Sequence, residues 1–298
     1  MTSRSYAESG VSLAAAEAVV GRLRAAVEST GATNFGAFAG LHPLDGHRLL
    51  AASTDGVGTK LVLARRRGRL RDCGADLAAH CINDVAACGA EPLMLLDYVA
   101  AAEIHLEEVA ELVEGAAEVC REAGVALIGG ETAELPGIYR ESEIDFAGTC
   151  VGVVERERVI DGSRVLEGDV VVGFPSAGVH ANGFTLVRRV LEDEDYEGED
   201  LLAPTRCYLP EARRLRASAH AFAHITGGGI EGNLARVVPA GLRARIDWDA
   251  WKRPAVFDWL ARHVDEQEQR RVFNLGIGYC AIVADPEDEF VIGRIESA

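Results

Sequence analysis

The stretch that most constrains how this chain folds is Ser53-Thr54-Asp55-Gly56-Val57-Gly58-Thr59-Lys60, which follows directly on the apolar run Leu49-Leu50-Ala51-Ala52. A strand-like run that delivers an acid, two glycines, a hydroxyl and a lysine in quick succession lets the backbone approach a ligand closely. It also sets groups beside that ligand which can hold a metal ion and a phosphate. That is the chemistry of nucleotide handling. The spacing is not that of a Walker A loop, which places four residues between its glycines and a lysine directly after the second. Lys60 and Lys252 are the only lysines among 30 basic residues. In a chain that otherwise uses arginine, a lysine at this point suggests that a compact ammonium is wanted there, with chance placement as the competing reading.

The chain has 298 residues, enough for a large core, and at roughly 100–200 residues per domain it is expected to form two domains. Its formal charge of −17 argues against nucleic acid and anionic membrane surfaces as partners, and for small molecules. No apolar run of membrane-spanning length occurs, and Met1-Thr2-Ser3-Arg4-Ser5-Tyr6 lacks the apolar core of a signal peptide, so a cytoplasmic location is expected. The seven cysteines are an odd number without a Cys-x-x-Cys pair, and read as buried thiols. Two stretches carry biased charge. Residues 65–71 hold five arginines and read as a solvated turn or an interface with an acidic neighbour; residues 192–200 hold seven acids and read as a solvated loop.

Along the chain, Leu13 to Glu28 has helical periodicity behind Ser12, a plausible N-cap. Residues 31–40 form a glycine-punctuated segment, either a phosphate or adenine loop or a linker anchored by Phe35 and Phe38. Asp72 reads as the cap of a helix of small residues running to Cys88. Inside that helix Asn83-Asp84 puts a carboxylate among apolar neighbours, where it needs a partner: an arginine or, favoured here, a metal ion. Residues 93–101 and 125–128 read as strands, with a helix over 107–122 between them. The second of these strands runs into Gly129-Gly130-Glu131-Thr132-Ala133-Glu134, a loop on which Glu131 is the stronger site candidate. A boundary is expected between 158 and 159. Beyond it, a strand over 169–174 leads to Ser176-Ala177-Gly178-Val179-His180-Ala181-Asn182-Gly183, a loop that has few reasons to bury its histidine, then to a helix over 185–191. Residues 208–223 read as a helix, followed by Gly227-Gly228-Gly229, an anion cradle or a tight turn.

Taken together, STDGVGTKL at 53–61, ND at 83–84, GGETAELPG at 129–137, SAGVHANGF at 176–184, LLAPTR at 201–206, ITGGGIEGN at 225–233 and FNLGIG at 273–278 closely resemble the phosphoribosylformylglycinamidine cyclo-ligases, also called aminoimidazole ribonucleotide synthetases. Single motifs are shared with thiamine-phosphate kinases and other relatives, so a small-molecule kinase and a non-catalytic nucleotide-binding paralogue stand as alternatives. The resemblance implies an α/β fold of α+β character: an N-terminal mixed or antiparallel sheet over 1–158 that forms a barrel-like core in a homodimer, and a C-terminal α/β domain over 159–298. It implies ATP-dependent ring closure of a ribonucleotide substrate in purine biosynthesis, with Mg²⁺. On this sequence Asp55 and Asp84 would hold the metal. Gly56, Gly58, Thr59 and Lys60 would meet ATP, Lys60 neutralising phosphate charge. Gly227, Gly228 and Gly229 would cradle a phosphate. Glu131 and His180 would move protons, and Asn182 would orient the substrate. The chain departs from the family pattern at Ala7, where a lysine near ATP is usual, at Ser12 in place of an acid, and after Ala284, where it is too short for the usual final helix.

Overall fold

The computed structural model describes residues 4–32 and 36–298, and sets two five-stranded sheets on either side of one buried helix. Helix α1 (Leu13–Glu28) starts where the sequence indicates, with the Ser12 hydroxyl accepting from the Ala15 N–H. Strands β1 (Gly40–Pro43) and β2 (Arg48–Gly56) form a hairpin. Helices α2 (Lys60–Arg66) and α3 (Leu70–Ala87) follow, then β3 (Glu91–Ala101), α4 (Leu106–Ala123), β4 (Ala126–Glu134) and β5 (Ile144–Glu155). The first sheet has the order β1-β2-β5-β3-β4, antiparallel except for the β3–β4 pair. It is open at β1 and β4, so the barrel expected from the family is not closed within one chain.

The second half contains β6 (Val170–Pro175), α5 (Phe184–Val190), α6 (Leu209–Leu215), β7 (Ala219–His224), α7 (Gly229–Leu234), β8 (Leu242–Ile246), α8 (Ala255–Leu260), α9 (Glu266–Val272), β9 (Ile277–Val283) and β10 (Val291–Ser297). Its sheet, β7-β9-β6-β10-β8, is antiparallel throughout. Residues 284–290 join β9 to β10 with no helix between them.

Helix α3 organises the whole. It packs on β2, β3 and β5 with one side, on β7 and α6 with the other, and on α4 along its flank, which leaves almost all its residues buried. A helix enclosed on every side must be built of small residues or approach its neighbours closely. It does both. A Cβ at Gly74 would lie 2.0 Å from the Leu112 carbonyl oxygen, and one at Gly115 would lie 1.9 Å from that of Arg71, so α3 and α4 touch backbone to backbone.

Several sequence expectations are corrected. Helix α3 has Arg69, not Asp72, at its cap position; Asp72 sits in the first turn and pairs with Arg69. The first half of the opening motif, Ser53 to Gly56, belongs to β2, and Gly129 to Glu134 belongs to β4 rather than to a loop. Residues 208–223 divide into α6 and β7. Of residues 31–40, Thr33, Asn34 and Phe35 lie outside the described residues, as do Met1, Thr2 and Ser3.

Candidate active site

The site is assembled by α3. Asp76, His80, Asn83 and Asp84 recur at about one-turn spacing, and all four are buried. Asp84 reaches across the interface between the two sheet units. Its Oδ1 lies 2.8 Å from His224 Nδ1 at the end of β7, and its Oδ2 accepts from the Ser53 hydroxyl on β2 at 3.1 Å. Burial raises its pKa to about 6. Asp55, on the same strand as Ser53, lies close enough to Asp84 to feel its charge; burial and then that charge push its own pKa up. No donor reaches the buried Asp55 Oδ2. Two carboxyls facing each other in a poorly solvated place, one with an orphaned oxygen, form a site that a cation would complete. Among the described residues no group of three or more His, Cys, Asp or Glu side chains is placed to hold a metal, so any ion here takes these two carboxylates and fills its remaining positions from elsewhere.

Arg236 borders this pair and stabilises the negative charge of Asp84; burial lowers the arginine's own pKa, and the charges of Asp84 and Asp55 offset only part of that. Its guanidinium lies over the Phe38 ring at 3.9 Å and donates to the Ala37 carbonyl at 3.0 Å, which draws the end of the 31–40 segment to the site. Beside it opens a cavity of about 380 Å³ walled by Phe38, Leu41, Cys88, Ile160 and Val237. Gly56, Gly58 and Thr59 are exposed at the end of β2 and the start of α2; the Thr59 hydroxyl meets that of Thr185 across the interface at 2.9 Å.

Lys60 does not join them. Helix α2 begins at this residue and turns its side chain inward, where Nζ lies 2.6 Å from Asp76 Oδ2 and donates to the Ala203 carbonyl at 3.1 Å. Thr205 donates to Asp76 Oδ1 through both its N–H, at 2.8 Å, and its hydroxyl, at 2.7 Å. Lys60 is therefore spent on fastening the 201–206 segment to α3 and has no free ammonium for a phosphate.

His180 is buried, against the sequence expectation, with a backbone φ of +65°. Its Nε2 accepts from the Ala177 N–H at 3.2 Å, Nδ1 is unpartnered, and burial pushes its pKa well below the ordinary histidine value, so the ring is neutral. Asn182 follows with an unpartnered, buried Nδ2. It faces the glycine turn: a Cβ at Gly227 would be 3.7 Å from Asn182 Oδ1. Gly228 and Gly229 both have positive φ, and the Asn233 amide holds the turn by donating to the Gly229 carbonyl at 2.8 Å.

Glu131 stands apart. Asp55, Gly148, Asp97 and Gly130 form one row across the first sheet; Gly56, Ala147, Tyr98 and Glu131 form the next. Side chains of adjacent rows point to opposite faces, so Glu131 lies on the open face, away from α3. It is exposed and makes no hydrogen bond or ion pair with the described residues.

Residues 36–154 match the family described as AIR synthase related protein, N-terminal domain, and residues 167–296 match its C-terminal domain. The chain belongs to the AIR synthase related family. Two AIR synthase relatives, both named phosphoribosylformylglycinamidine cyclo-ligase, come from Nitrosococcus oceani and a Synechococcus species. The first is 46% identical over 99% of this chain and 89% of its own length, the second 45% identical over 96% and 90%. Among solved structures, the thiamine monophosphate kinase of Aquifex aeolicus has a TM-score of 0.66 at 17% identity, covering 93% of this chain and 94% of that one. T. maritima PurL complexed with ADP has 0.61 at 17%, covering 90% and 43%. At that identity the likeness shows the AIR synthase fold alone.

The sequence reading of this AIR synthase chain missed His80, His224, Asp76, Asp97 and Arg236. Asp97, half-buried with its carboxyl pKa raised by burial, carried a signal: it is an acid inside the apolar run of β3. Asp76 and His80 carried one too, as polar residues in phase with Asn83 and Asp84 on a helix of small residues. His224 and Arg236 carried none, because their partners are more than a hundred residues away.

Proposed function

We infer that this protein is a phosphoribosylformylglycinamidine cyclo-ligase, which closes the imidazole ring of aminoimidazole ribonucleotide at the expense of ATP. The observation that carries this is 46% identity over 99% of the chain to a relative of that name. In the reaction the formyl oxygen attacks the γ-phosphorus and ADP leaves. The ribose-bearing amidine nitrogen then attacks the activated carbon and loses its proton, and the oxygen departs with phosphate.

The residues fit these demands. Asp55 and Asp84 would hold Mg²⁺, which supplies charge stabilisation at the ATP phosphates when bound and accepts a mixed shell of carboxylate, phosphate and water oxygens. Gly56, Gly58 and Thr59 offer exposed backbone and a hydroxyl at the same end of the sheet. His180, neutral with Nε2 accepting from the Ala177 N–H, carries its proton on the unpartnered Nδ1 and can donate it to a substrate oxygen, and the orphaned Asn182 amide can donate to the substrate. The Gly227–Gly229 turn beside Asn182 suits a phosphate. Glu131 faces away from these groups, so its part in the reaction requires a second subunit on the open sheet face. That face carries Thr54, Thr149, Leu96, Tyr98 and Ile128, an uncovered surface that supports a homodimer.

Incubation of the pure protein with formylglycinamidine ribonucleotide, ATP and Mg²⁺ tests the reading. Aminoimidazole ribonucleotide and ADP should appear in equal amounts. A stable phosphorylated product with no ring closure would instead point to a kinase.

A further inference from the structure

Asp84 is held by more than its own helix. His224 is fully buried, with the His80 ring edge-on at 5.0 Å and the Tyr279 ring at 6.2 Å, so the imidazole has one orientation. Its Nε2 lies 3.5 Å from Asn83 Nδ2, which carries only hydrogens, and its Nδ1 lies 2.8 Å from Asp84 Oδ1. These two neighbours fix the tautomer: the proton sits on Nδ1 and is donated to the carboxylate. Asn83 is itself set from the second unit, its Oδ1 accepting from the Tyr208 N–H at 2.7 Å and its Nδ2 donating to the Arg206 carbonyl at 2.9 Å. With Ser53 on the other oxygen, the Asp84 carboxylate is pinned at both ends, one from each sheet unit. A neutral N–H is the right kind of donor for this. It orients the carboxylate without cancelling the charge that a cation needs, as a cationic partner would.

We propose that His224 is a positioning residue: it orients Asp84 for a divalent cation and makes that cation site depend on the docking of the second sheet unit against α3. This rests on the reading of Asp84 as a cation ligand. The test is Mn²⁺ binding to the full-length protein in the presence of ADP, followed by the loss of the free-ion EPR signal. Asp84→Asn, His224→Leu and His224→Asn are compared with the unaltered chain. Leucine fills the imidazole volume without a donor, whereas the asparagine amide restores a donor near the Nδ1 position.

Weakening of about 10-fold or more is expected in His224→Leu, with recovery to within about 3-fold in His224→Asn, in the range that such supporting contacts command. Thermal melts of the same samples separate loss of fold from loss of the ion. Unchanged binding in Asp84→Asn would remove the cation reading itself. Weakened binding in Asp84→Asn together with unchanged binding in His224→Leu would overturn the positioning role and leave that reading intact. Equal weakening in both His224 variants, with the melts unchanged, would also overturn it, because the donor would then not matter.

Discussion

Lys60 and Asp76 are both wholly enclosed, and enclosed charges need each other and further hydrogen bonds to offset the loss of water. Here they pair directly, Lys60 also donates to Ala203, and Asp76 Oδ1 accepts twice from Thr205. Replacing Lys60 with Met leaves the Asp76 carboxylate buried without its counter-ion and should cost about 3–5 kcal/mol in urea unfolding. The Lys60→Met/Asp76→Leu double variant should recover much of that loss. A lysine serving phosphate would behave differently, weakening ATP binding and leaving the unfolding midpoint alone. The rarity of lysine in the sequence marked a position of unusual demand, but it could not say which charge Lys60 meets, because Asp76 looked like one more polar residue of a helix. Asp84 was legible for the opposite reason. A carboxylate inside an apolar helix is costly enough to announce a partner, though not to name His224.

At the scale of elements, regular apolar periodicity made α1, α4 and β3 readable. It failed wherever a strand carried polar or glycine residues for the site. Strands β2 and β4 run on through Asp55 and Glu131, so the residues that looked like ligand loops are ladder-bonded and hold their side chains to one face or the other. Face, rather than proximity in sequence, then separates Glu131 from Asp55. Helix α3 was visible as a run of small residues, and its close contact with α4 explains that run. Adding one methyl group at Gly74 or Gly115 drives it into backbone, where no rotamer change gives relief. Either Gly→Ala variant should lose about 2–3 kcal/mol in a denaturant melt. A loss below a few tenths would mean that the helices can separate at little cost.

At the scale of the molecule, the two biased stretches find each other. Arg67 pairs with Glu197 and Arg69 with Glu199, so the basic run is answered by the acidic one. Among the described residues no helix is long and apolar enough to cross a membrane. The open face of the first sheet exposes Leu96, Tyr98 and Ile128, and on the homodimer proposed above Leu96→Glu there should give a monomer in sedimentation while the chain stays folded. Activity lost with the dimer would place Glu131 in a shared site. The chemistry itself is tested most directly by the fate of one oxygen atom. With substrate labelled by ¹⁸O in the formyl group, a cyclo-ligase that activates this oxygen with ATP releases phosphate carrying the label, one atom for each ring closed. Unlabelled phosphate, with the label lost to water, would contradict activation of the formyl oxygen by ATP.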